Sequence, residues 1–90
     1  MNLRSFLDAQ PRGYLKQLAK TLGVTSVYLS QLAAGQGGRE PSPALCVAIE
    51  VATGRQVMRW DLRPKDWRQI WPELIAQAGA PVVAEAIAHA

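Results

Sequence analysis

Four cations and no acid lie between Arg12 and Arg39: Arg12, Lys16, Lys20 and Arg39. A run of that sign suits a polyanion, because each Lys or Arg that meets a phosphate releases condensed counterions. Interleaved with it are Ser26, Val27, Ser30 and Gln31, a set whose types suit base edges. The glutamine carboxamide holds a donor beside an acceptor, the reverse of an adenine edge, and serine hydroxyls serve several bases. Val27 is either a contact for a thymine methyl or a stray surface apolar residue, since single exposed apolar residues are common. Arg12, Gly13, Lys16, Thr25, Tyr28, Gln36 and Arg39 form the matching set for a sugar–phosphate backbone. Amides near Gly13 add helix-terminus binding of phosphate. Gly37 and Gly38 either let main chain approach a phosphate closely or make a flexible loop.

These residues need two helices to hold them. Leu15, Leu18, Ala19 and Leu22 are spaced i, i+3, i+4 and i+7, one face of a helix. Val24, Leu29 and Leu32 supply the facing apolar set. Gly23 sits where the chain must reverse, and Thr25 or Ser26 can cap the second helix. Small Ala19 lets the helices cross closely. This is the pattern of a DNA-binding helix-turn-helix, whose second helix lies in the major groove.

The rest of the chain predicts more helix. Asn2 can cap a helix carrying Leu3, Phe6 and Leu7, ending near Ala9, and Pro11-Arg12-Gly13 breaks it. The second helix is expected from Tyr14 to Leu22 and the third from Ser26 to Ala34, stopped by Gly35. Ser42 before Pro43 is a cap followed by proline at the first helical position. The helix it starts, to about Thr53, is apolar on nearly every side, which predicts a central helix buried on most of its surface. Gln56 to Leu62 alternates weakly and could be extended or form a strand. Trp67, Ile70, Trp71 and Leu74 make a helical stripe that Pro72 should kink or end at Trp71. The expected fold class is all-α, a compact bundle of about five helices. Residues 1–78 form the domain, and 79–90 a short helix or frayed tail.

Ninety residues leave no room for separate cofactor and substrate lobes. The net charge of +3 resides in residues 1–45; residues 46–90 balance. Cys46 is the only cysteine, so no internal disulfide or zinc-type spacing exists; in its apolar stretch it reads as a small buried hydrophobe. His89 is the only histidine, and no nucleophile–base set or metal-ligand set can be assembled around it. Asp61, Asp66 and Glu73 lie among Arg59, Arg63, Lys65 and Arg68, which reads as surface pairing. An enzyme is therefore not expected, nor a cofactor, a metal or a small-molecule substrate. The longest apolar run, Ala44 to Ile49, is too short to span a bilayer, and the N-terminus lacks a signal-type core. A cytoplasmic protein is expected. A domain this small gains by binding as a homodimer on a near-palindromic duplex site, recognition helices ~34 Å apart. The expected dimer surface follows Gly54, with Val57, Trp60 and Trp67 as contacts, since interface energy concentrates in aromatics. The rival to DNA binding is a protein-interaction module on the same helices, since fold alone does not settle function.

Three segments together carry a resemblance: residues 18–32 (LAKTLGVTSVYLSQL), 41–45 (PSPAL) and 52–64 (ATGRQVMRWDLRP). In this order the chain resembles the Cro/CI-type helix-turn-helix regulators of phages and prophages, in particular the small YdaS-like group, over about Leu3 to Leu74. The resemblance implies a lambda repressor-like DNA-binding domain acting in transcriptional control, commonly as a dimer on operators; some members are called antitoxins. Members often carry a polar residue at the place of Leu15, so no backbone contact is carried over there.

Overall fold

Capping chemistry sets most of the element boundaries. In the computed structural model, which describes residues 1–38 and 40–81, the Asn2 side chain accepts from the Ser5 N–H at 2.7 Å. That bond opens α1 (Leu3–Asp8). Thr25 Oγ1 accepts from the Tyr28 N–H at 3.0 Å and opens α3 (Ser26–Ala34). Ser42 Oγ accepts from the Leu45 N–H at 3.2 Å and opens α4 (Pro43–Ala52), with proline in its first turn. Each such cap satisfies an amide that the helix itself leaves without a partner, worth about 1 kcal/mol. Between α1 and α3 lies α2 (Tyr14–Leu22). Two single-turn helices follow α4: α5 (Arg59–Leu62) and α6 (Trp67–Ile70). Pro72 ends α6 as expected, and Pro72–Leu74 continues as a 3-10 turn.

The architecture is all-α, with six α-helices and no strand among the described residues. The Gln56–Leu62 segment is therefore not a strand: Gln56 to Met58 is irregular and the remainder is α5. One core runs through every helix, from Leu3 and Phe6 through Leu18, Ala19, Leu29, Leu32, Cys46 and Ile49 to Trp60, Trp67 and Leu74. Phe6 meets Tyr14 at the start of α2 edge to face, with centroids 5.7 Å apart, while α1 packs mainly on α3. Trp60 meets Trp67 in the same way at 5.9 Å.

Two expectations are corrected here. The fourth helix is not buried on most sides. Cys46, Ile49 and Glu50 face inward, but Ala44, Val47, Ala48 and Val51 are exposed, Val51 to 71%. Its main packing partners are α2 and α5, and single-turn helices are too short to wrap the remaining face. Val57, Trp60 and Trp67 are likewise not a surface offered to a second copy. All three lie in the chain's own core, Val57 at 0% exposure. A domain of this size spends its largest aromatics on closing itself.

Glu50, the lone charge of α4, is buried rather than solvated. Arg59 Nε donates to it at 2.8 Å and the Arg59 backbone N–H at 3.3 Å. The Arg59 guanidinium in turn lies 5.3 Å from the Trp71 ring centroid, a cation–π contact. Arg63 ties the second half to the first: it donates to the Pro41 carbonyl at 2.7 Å and grips both Asp66 oxygens, at 3.0 and 2.8 Å. The surface pairing expected around Asp66 thus includes a strut back to the α3–α4 connection.

Candidate nucleic-acid interface

The α2–α3 pair is closed by a short turn at Gly23. Gly23 takes φ +75°, a left-handed conformation that costs a residue with a Cβ about 1–2 kcal/mol. Its N–H donates to the Lys20 carbonyl at 3.2 Å, and the Val24 N–H reaches back to Ala19 at 3.0 Å. Both bonds satisfy carbonyls at the end of α2. The chain then enters α3 within two residues, which sets the two helices against each other. Leu18 and Ala19 on α2 and Leu29 and Leu32 on α3 are buried in the joint.

Burying that face leaves the other face of α3 outward. Val27 is 65% exposed, while Ser26, Ser30 and Gln31 are half-buried at the margins of the same ridge. The four base-edge candidates are thus gathered on one helix, with different surroundings. Ser26 borders a groove beside α2. Ser30 borders a crease against α1, near Leu7, Asp8 and Ala33. Tyr28 is half-buried and packs against the core, leaving less of it for a ligand than Val27 offers.

The cations stand beside this ridge. Arg12, Lys16 and Lys20 are exposed, and within the described residues none of them enters an ion pair. Lys16 and Lys20 are one turn apart on α2 and share a face. Gly13, at φ +91°, precedes α2 and has no side chain to cap it, so the first-turn amides of α2 receive no side-chain oxygen from that position. Thr25 is exposed, with its oxygen engaged as the α3 cap. Gln36 is exposed in a 3-10 turn whose Gly37 and Gly38 both take left-handed φ, at +63° and +67°. Arg39 lies outside the described residues. Leu15 is half-buried against the core, in keeping with its omission from the contact set.

One feature escaped the sequence reading. Pro11, Tyr14, Ala19 and Val24 join Arg12, Lys16, Lys20 and Ser26 around an open groove of about 720 Å³. The apolar periodicity of α2 shows which residues face inward, but not that the packing stops short and leaves a concavity along the helix from Pro11 to Ser26.

Fold and surface together define a small domain, all-helical among the described residues, with the exposed cations of α2 and its preceding turn beside α3. Residues 10–70 match the family described as bacterial toxin YdaS, and the chain belongs to that family. The match takes in α2, α3, α4, α5 and α6 and begins after α1. A search of curated proteins found no match. Among the described residues no helix is long and apolar enough to cross a membrane.

Proposed function

We propose that the protein is a sequence-specific, double-stranded DNA-binding transcriptional regulator of the Cro-like repressor kind, acting on a phage or prophage operon. The observation that supports this reading most is the outward ridge of α3 standing beside three exposed cations that have no ion-pair partner among the described residues. Helix α3 enters the major groove. Gln31 and the serines hydrogen-bond base edges, and Val27 packs on a thymine methyl. Arg12 and Lys16 neutralise flanking phosphates, with the amides near Gly13 adding dipole-assisted contacts. Occupying an operator in this way blocks access of polymerase. Two copies bind a near-palindromic site, through a surface other than Val57, Trp60 and Trp67.

In vitro selection of bound duplexes from a random pool tests this. A recovered motif with two half-sites about one helical turn apart is the expected result. Absence of any salt-sensitive binding to duplex DNA overturns it. The family's description as a bacterial toxin favours a second reading, a toxin–antitoxin component acting with a partner protein. Growth arrest on induced expression that persists after Gln31→Ala and Lys16→Ala would favour that reading over DNA recognition by α3.

A further inference from the structure

The groove beside α2 has two kinds of wall. Tyr14, Ala19 and Val24 supply apolar surface, and Arg12, Lys16 and Lys20 supply three positive charges with no acid among the lining residues. A duplex makes use of only one of these walls. Its phosphates meet the cations at the rim, and the one apolar contact proposed above, a thymine methyl, falls to Val27, which does not line the groove. The apolar wall is therefore surplus to DNA binding. Its volume of about 720 Å³ is in the range of pockets that enclose a few side chains or one small molecule. What complements both walls at once is a ligand carrying negative charge around an apolar anchor.

We infer that this groove seats an acidic peptide segment of a partner protein, one apolar or aromatic side chain lying over Tyr14, Ala19 and Val24 and flanking carboxylates pairing with Arg12, Lys16 and Lys20. The charge argument commits the site to an acidic segment, because Arg12, Lys16 and Lys20 repel a basic segment and gain no charge pairing from a neutral one. Size makes the same point about the anchor: a groove with an apolar wall discriminates for a side chain that fills it. Arg12 and Lys16 are also the proposed phosphate contacts. A seated peptide consequently removes them from DNA, and the groove is a competitive off-switch. That consequence rests on the DNA-binding reading, whereas occupancy of the groove does not.

The test is fluorescence anisotropy on the full chain with three short labelled peptides: aspartates and glutamates around a central Leu-Trp, the same peptide with Ser-Ser at the centre, and the Leu-Trp peptide with asparagines and glutamines replacing the acids. The acidic Leu-Trp peptide is expected to bind at least about tenfold more tightly than either of the others. Lys16→Glu and Lys20→Glu, both at exposed positions, are expected to weaken it by about tenfold each, and Val51→Ser on the far surface of α4 to leave it unchanged. Unlabelled acidic Leu-Trp peptide should then displace a labelled duplex. Equal affinity for the two acidic peptides overturns the apolar anchor. Unchanged affinity in both lysine variants overturns the site. Simultaneous binding of peptide and duplex overturns the switch. Duplex binding is measured first without peptide, so its failure alongside intact peptide binding would sink the regulator reading and leave the groove assignment standing.

Discussion

The two halves of the molecule use arginine and lysine in opposite ways. In α2 and the turn before it, Arg12, Lys16 and Lys20 project into solvent without ion pairs among the described residues. In the second half two arginines, Arg59 and Arg63, are consumed by the fold. Arg59 joins Glu50 to the Trp71 ring, and Arg63 joins Asp66 to the Pro41 carbonyl. Both regions carry cations; what differs is whether a counter-charge lies within reach. Unpaired cations retain their attraction for an external anion, whereas paired ones have spent it on cohesion. Substituting in one half should therefore alter binding, and in the other half stability.

The sharpest test of that division is Glu50→Ala. It leaves the Arg59 guanidinium in its half-buried setting without its carboxylate, which is expected to cost about 3 kcal/mol in urea unfolding. DNA affinity per folded molecule should not change. A loss below ~0.5 kcal/mol would show that the Glu50–Arg59 pair is not a structural strut. Conversely, Gln31→Ala should leave unfolding within about 0.5 kcal/mol of the parent. Its expected effect is to relax preference at one base position by ~1–3 kcal/mol across single-base operator variants. Lys16→Ala is expected to weaken all duplexes alike and to reduce the slope of log affinity against log salt by ~1. An unaltered slope would remove Lys16 from the phosphate contacts.

Backbone strain supplies a smaller effect. Arg55 is the one non-glycine residue with positive φ among the described residues, at +66°, directly after Gly54. Its guanidinium, largely exposed, is 4.0 Å from the buried Glu50 carboxylate, a long contact. Arg55→Gly should raise the thermal midpoint, the relief of about 1 kcal/mol outweighing the lost ion contact. The smallest effect concerns pH. The Arg63 guanidinium holds the Asp66 carboxyl below the usual carboxylate range, chiefly through its hydrogen bonds. A depressed folded-state value means that this stabilisation is present above the unfolded pKa, about 4. It fades as pH falls through the folded value. Acid titration of Arg63→Ala, followed by circular dichroism, should show a shallower acid limb than the parent.

Caps and turns follow from the sequence, because they are decided within a few residues. Asn2, Thr25 and Ser42 cap where their side-chain oxygens predict, Gly23 and Gly35 terminate in left-handed geometry, and Pro72 ends α6. The outward position of Val27 is legible for the same reason: once Leu29 and Leu32 are buried, periodicity alone turns it to solvent, whereas Ser26, Ser30 and Gln31 end half-buried through packing that periodicity does not carry. Trp60 and Trp67 lie in the core rather than at the expected dimer surface, because an aromatic side chain suits a core and an interface equally well, and only three-dimensional closure separates the two. Helix α4 was overburied because an apolar composition states what a helix can lose to solvent, not how many neighbours are long enough to cover it.

What the amino-acid order determined, then, is the run of helices, their ends, and the sign of the charge on α2. These depend on interactions spanning one or two helical turns. What the tertiary structure decided is which cations are spent, which apolar residues remain wet, and where packing leaves a groove beside Lys16 and Lys20. Those outcomes depend on distances between side chains far apart in the chain, such as the Arg63-to-Pro41 bond. No local rule carries such a distance, because it is set only when all the helices share one volume.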